Sequence, residues 1–217
     1  MQIVIVGCGD VGMYLTQLLE EKKHEVVVVD KDPIVCEKVR EKFKVHVVEG
    51  DATELSVLER AGARKADALV ALTANDETNM VVSLLGKELG AKTAAARIER
   101  VEYDEAILKK LGIDIVIHPK AASAGYIEEL ITKPELLDVV FISKGLAQIV
   151  ELQVKEKSKA VGKRLGELEK VPGTNVIAIV RGTELLLSRL DLIVLAKDRL
   201  VVVATREASD HVEKIVE

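Results

Sequence analysis

The chain has 217 residues, of which 48% are hydrophobic and 31% charged, with a formal charge of -5; this describes a globular protein of one or two domains and excludes a disordered chain. Residues 1–134 carry 18 Lys and Arg against 23 Asp and Glu, and residues 135–217 carry 13 against 13. Neither half is a basic footprint, and with no tryptophan there is no aromatic platform for bases, so nucleic acid is not an expected partner.

The first segment, QIVIV at 2–6, is a β-branched run of the kind buried on both faces of a parallel sheet. Residues 11–23 then set Val11, Tyr14, Leu15, Leu18 and Leu19 on one helical stripe. VVVV at 26–29 ends at Asp30 as a second strand, Pro33 opens a helix running to Lys42, and residues 44–51 supply a third strand. A helix over 56–62, a strand over 67–74 and a helix over 77–90 closed by Gly90 follow. Strands over 93–98 and 114–119 flank a helix over 105–112. Six strands alternating with helices predict an α/β fold, a Rossmann-like doubly wound parallel sheet.

A further helix over 120–135 ends by Lys133, because Pro134 disfavours the helical conformation in the residue before it. The domain boundary is placed there: residues 1–134 form the Rossmann-like domain and residues 135–217 a small α+β domain. Its strand-like segments are LDVVFIS, LAQIVELQVK, TNVIAIVRG, TELLLS and DRLVVVAT, with short helices expected over 161–170 and 209–217.

Gly7, Gly9 and Gly12 have the spacing Gly-x-Gly-x-x-Gly between the first strand and the first helix. In that setting Gly7 allows the tight turn, Gly9 lets a pyrophosphate approach the backbone, and Gly12 lets helix pack close to strand. The N–H groups at the helix start favour phosphate charge. Asp30, 18 residues after Gly12, stands where a carboxylate hydrogen-bonds ribose hydroxyls and repels a 2′-phosphate, which favours NAD or an adenine nucleotide over NADP. The ends of the third and fourth strands, Gly50-Asp51-Ala52-Thr53 and Thr73-Ala74-Asn75-Asp76, point at the same place. Asp51 is a candidate acceptor for an adenine amino group, with turn and cap chemistry as the equal alternative. Arg97 ends the fifth strand, where its guanidinium meets a phosphate or else pairs with Glu99 or Asp76.

Cys8 and Cys36 have no zinc-type spacing and suit a reducing compartment; Cys8 has no neighbouring base and reads as a packing residue. No signal-peptide pattern opens the chain, and no apolar run approaches the roughly 18 residues of a membrane helix. A hydride-transfer enzyme needs an acid or base beside the nicotinamide, usually from a second catalytic domain. No catalytic or metal-ligating set is recognisable here.

These residues carry a resemblance. IVIVGCGDVG (3–12), VVVVDKD (26–32), VVEGDAT (47–53), LVALTANDETNM (69–80), ARI (96–98) and GIDIVIHP (112–119) resemble the TrkA-type cytosolic subunit of potassium uptake systems, a regulator of potassium conductance (RCK) domain followed by a TrkA-C domain. SKAVGKRLGEL (158–168), VIAIVRG (176–182) and KDRLVVVA (197–204) extend it through the second half. The resemblance implies that NAD(H) or ATP/ADP is bound, with Gly7, Cys8, Gly9, Asp10 and Val11 holding the pyrophosphate through backbone N–H groups. It sets Asp30 at the ribose, Thr73 and Ala74 beside the nucleotide and Arg97 at phosphate; Gly12, Lys31, Asp51, Ala52 and Asn75 complete the candidate cofactor-binding set. It also implies a cytoplasmic regulator that assembles as a homo-oligomer, a dimer and then a ring, at the inner face of the membrane beneath a TrkH- or KtrB-like potassium-translocating subunit. The chain departs from the family at LLLSRLDLIVLAKD (185–198), where a proline and a glycine-rich turn are common, and it carries one copy of a unit that many relatives carry twice. A divalent-cation-responsive channel gating ring and an NAD-dependent oxidoreductase are the alternatives.

Overall fold

A computed structural model of the chain describes residues 1–133, 136–142, 145–168 and 170–216. The chain divides into two compact units, Met1–Ala122 and Ser123–Glu217. The expected boundary between residues 134 and 135 lies outside the described residues.

The first unit is built on six parallel strands, β1 (Gln2–Val6), β2 (Glu25–Asp30), β3 (His46–Glu49), β4 (Ala68–Ala71), β5 (Thr93–Arg97) and β6 (Ile115–Ile117), in the order β3-β2-β1-β4-β5-β6. Helices α1 (Asp10–Glu21), α2 (Pro33–Lys42), α3 (Leu55–Arg60), α4 (Asp76–Leu89) and α5 (Glu105–Lys110) connect them, and α6 (Pro119–Thr132) follows β6. Helices on both faces of a parallel sheet leave its central strands no wet side. Val4, Ile5, Val28 and Val29 are accordingly fully buried. Local signals set the helix starts: Asp32 accepts the Ile34 N–H at 2.8 Å ahead of Pro33, and Asn75 accepts the Thr78 N–H at 2.6 Å. Chain order reverses between β1 and β4, the switch point beyond whose carboxyl ends ligands bind in such sheets.

The second unit holds an antiparallel sheet of β7 (Leu136–Ile142), β8 (Ala147–Gln153), β9 (Thr174–Arg181), β10 (Glu184–Leu187) and β11 (Arg199–Thr205), ordered β10-β9-β11-β8-β7. Val150 and Leu152 of β8 alternate inward with Leu200, Val202 and Ala204 of β11 to form its core. Of the two short helices expected here, among the described residues one is reduced to a single turn and the other is a 3₁₀ helix. Over 161–170 only Leu165–Glu167 makes a 3₁₀ turn, because the backbone bonds outward. The N–H groups of Gly162, Leu165 and Gly166 donate to the carbonyls of Val194, Leu192 and Leu190 at 2.8, 2.9 and 3.0 Å. The segment after β10, where the chain departs from its resemblance, is thereby paired with 162–166 rather than closed into a hairpin. Residues 209–215 form a 3₁₀ rather than an α-helix.

Candidate functional site

A cleft of about 410 Å³ opens at the carboxyl ends of β1 to β5, within the range of small-molecule sites. It spans five strand ends, on the order of 19 Å at about 4.8 Å per strand. Along that span chemistry changes in order. Asp30, Asp32, Gly50 and Asp51 lie at the β2 and β3 end, Gly7 and Gly9 at the centre, and Thr73, Ala74, Asn75, Thr78 and Arg97 towards β5. Val6, Val29, Val35 and Leu72 supply apolar lining.

The glycine loop is shaped by close approach. Gly7 has φ +85, and a Cβ there would lie 2.8 Å from the Thr73 nitrogen; at Gly12 the Gly7 carbonyl fills the place of a Cβ. Nothing lies within 4 Å of the Cβ position at Gly9, so open space faces the loop there. Gly9 caps α1, whose first-turn N–H groups have no intrahelical acceptor. Open space, unclaimed donors and the positive end of a helix dipole fit a pyrophosphate.

Asp30 braces this loop. One carboxylate oxygen accepts the Cys8 N–H at 2.7 Å and the other the Asp32 N–H at 2.9 Å, so the residue expected at the ribose also fixes the turn that begins the site. The Cys8 thiol is buried beside Thr16, and burial pushes its pKa up to about 11, which suits packing rather than nucleophilic chemistry. Asp51 Oδ1 accepts both the N–H and the hydroxyl of Thr53, at 2.9 and 2.7 Å, and the Thr53 N–H bond leads in holding its carboxyl below the usual range. It is thus engaged as the turn acceptor that its sequence context offers, while facing the cleft.

The β4 and β5 ends are tied by a residue with no local signal. Buried Asn79 on α4 accepts the Thr73 N–H at 2.9 Å and its hydroxyl at 2.7 Å, and donates to the carbonyls of Thr73 and Arg97 at 3.0 and 2.8 Å. Only the fold brings positions 73, 79 and 97 together. Arg97 lines the cleft and is ion-paired with Glu99; buried Asp76 instead accepts the N–H groups of Glu99 and Arg100 at 2.8 and 2.9 Å.

Of the residues singled out from sequence, Gly7, Gly9, Asp30, Lys31, Asp51, Ala52, Thr73, Ala74, Asn75 and Arg97 line one cleft. Cys8, Asp10, Val11 and Gly12 do not line it; they form the turn and the first turn of α1 behind it. The apolar lining was legible only as strand ends, and Asp32 was not singled out. Among the described residues no group of three or more His, Cys, Asp or Glu side chains is placed to hold a metal ion, and no helix is long and apolar enough to cross a membrane.

Comparison with known proteins gives consistent matches. Residues 3–119 match the TrkA-N domain and residues 149–217 the TrkA-C domain. A Trk system potassium uptake protein TrkA homolog of Methanothermobacter thermautotrophicus is 34% identical over 193 residues, covering 89% of this chain and 88% of that protein. A homolog of the same name from Archaeoglobus fulgidus is 37% identical over 210 residues, covering 95% of this chain but 48% of its own length; the chain thus spans about half of that relative. The GsuK channel bound to NAD shares the fold with a TM-score of 0.66 at 22% identity, over 100% of this chain and 39% of that one. GsuK bound to ADP gives 0.53 at 22% identity over 62% of this chain and 35% of that one.

Proposed function

The chain belongs to the family of Trk system potassium uptake proteins TrkA, with a TrkA-N domain followed by a TrkA-C domain, and from this premise we propose that it is a nucleotide-sensing regulatory subunit. Its ligand, NAD(H) or ATP/ADP, occupies the cleft beyond β1 to β5. The family relatives are named for a potassium uptake system and not as enzymes. The observation that carries the reading is the ordering of chemistry along one cleft, with carboxylates at β2 and β3, a glycine loop and helix start at β1, and a guanidinium at β5. An adenosine suits the acidic end, where ribose hydroxyls donate to Asp30, and phosphates suit the loop and Arg97. A channel of the same fold holds NAD in one structure and ADP in another, which supports either ligand in a cleft of this architecture.

The regulator acts at the cytoplasmic face, as a homo-oligomer, on a TrkH- or KtrB-like membrane subunit. A ligand shifts that subunit between states only through unequal affinity for two conformations of the regulator. Calorimetric titration of NAD, NADH, ADP and ATP into the full chain tests the reading. At least one binds, and Asp30→Ala weakens it by tenfold or more. Binding of none of the four, or unchanged affinity in Asp30→Ala, overturns it. Co-purification from membranes with a multi-span potassium transporter tests the partner, and recovery without one counts against it.

A further inference from the structure

At the β5 end of the cleft the lining residue Arg97 is engaged by a carboxylate, Glu99, that does not itself line the cleft and that phosphate binding alone does not require. The Arg97 Nε donates to Glu99 Oε1 at 2.6 Å, and the Nη2 of the same guanidinium also pairs with Glu99. The other Glu99 oxygen lies 3.2 Å from the Lys120 Nζ. The Glu99 side chain is 13% exposed and that of Arg97 24%, so solvent screens their charges poorly, whereas Lys120 is 77% exposed. Glu99 cannot withdraw easily, because Asp76 anchors its N–H and the next one. Burial by itself would raise the Glu99 pKa, yet the hydrogen bonds from Arg97 and Lys120 outweigh it and hold the carboxyl below its ordinary value. The carboxylate is therefore charged at neutral pH.

We propose that Glu99 is a specificity-determining residue of the cleft, competing with ligand phosphate for the Arg97 guanidinium while Lys120 offsets part of its charge. The proposal rests on the nucleotide reading above. A dinucleotide whose phosphates stay at the glycine loop presents little charge to the trio. A nucleoside triphosphate whose chain extends towards β5 must share Arg97 with a fixed carboxylate. Lys120 stands in the first turn of α6, whose residues from Ser123 onward belong to the second unit. A phosphate that takes Arg97 from Glu99 therefore also alters the ion pair at the start of the helix through which the chain leaves the first unit.

The test is the ratio of ATP to NAD affinity, read by calorimetry on the full chain at fixed ionic strength. Glu99→Gln, isosteric and uncharged, raises that ratio about tenfold, and Lys120→Met lowers it about threefold by leaving Glu99 less compensated. A merely structural role moves both affinities together and leaves the ratio fixed. Wild-type protein that binds both ligands, with a ratio unchanged in Glu99→Gln, overturns the proposal alone. Wild-type protein that binds none of NAD, NADH, ADP and ATP overturns the nucleotide reading and this proposal with it. Should Glu99→Gln fail to fold, Lys120→Met decides, since an exposed lysine is replaceable without loss of the core; an unchanged ratio there overturns the proposal.

Discussion

At Gly12 the Gly7 carbonyl occupies the place of a Cβ, whereas at Gly9 nothing lies within 4 Å. Two glycines of one motif therefore have separable roles. Gly12→Ala forces the start of α1 away from the loop and lowers stability by about 1 to 3 kcal/mol, as overpacking does. Gly9→Ala leaves the thermal midpoint of the ligand-free protein nearly unchanged and weakens nucleotide binding, because its methyl group projects where a ligand approaches. Thermal melts with and without nucleotide separate the two, and a Gly9→Ala protein as unstable as Gly12→Ala contradicts the assignment. The thiols give a second expectation at this scale. With its pKa near 11, Cys8 is ionised in only about one molecule in a thousand at pH 8, and burial also raises Cys36, so native protein resists a thiol reagent that labels both after unfolding. Rapid labelling of native Cys8 contradicts this. The turn at Gly7 and the close approach at Gly12 were legible in the sequence, since spacing and the strand-to-helix setting specify them. The Asp30 bond to the Cys8 N–H was not, because it depends on how the β1 and β2 ends lie side by side.

Elements were legible where apolar periodicity and local end signals specify them. The alternating strands and helices of the first unit follow from apolar periodicity and from end signals such as Pro33 and Gly90, and they stand where those signals put them. Residues 161–170 have helical-looking composition, but their N–H groups find acceptors at 190–194, a pairing across nearly thirty positions that no local pattern announces. A similarly non-local contact fixes the start of β11. Asp198, 2% exposed, receives the Arg181 Nε at 2.9 Å, its Nη2 at 2.8 Å and the Leu195 N–H at 2.8 Å. Burial works against the charged carboxyl, but the Arg181 hydrogen bond leads the interactions that hold its pKa below the usual value. A depressed carboxylate stabilises the fold above the unfolded pKa of about 3.9, and that contribution is lost as pH falls through the lower folded value. Asp198→Asn accordingly costs about 2 to 3 kcal/mol at pH 7, at the low end for a broken buried pair because Arg181 is partly exposed. It also flattens the loss of stability below pH 4. Urea unfolding of both proteins at pH 7 and pH 3 measures this, and an equal acid sensitivity in the variant rules the attribution out.

For the molecule as a whole, the open question is what covers the β6 edge of the first unit. A doubly wound sheet buries both faces of its strands, yet Ile115 and Ile117 of β6 are exposed, as are Ile107 of α5 and Leu111 just after it. Exposed apolar side chains gathered at one sheet edge are a liability for a lone chain and an asset for one that assembles. They support the homo-oligomer proposed above, with a second copy covering this edge. Such an assembly is invisible to sequence periodicity, which reports only that a residue is apolar, not whether its own chain or a copy buries it. Light scattering across a hundredfold range of concentration is expected to give more than one chain per particle. Ile115→Lys shifts the distribution to smaller particles while the far-ultraviolet circular dichroism and the nucleotide affinity of the cleft at the carboxyl ends of β1 to β5 stay as they were. A wild-type chain that remains monomeric throughout would remove the assembly from the reading, and would require the regulator to act on its membrane partner one chain at a time. If the variant loses both oligomer and nucleotide affinity, the edge and the cleft are coupled, and Arg97, which lines the cleft and pairs in register with Ile117 of β6, is where the two adjoin.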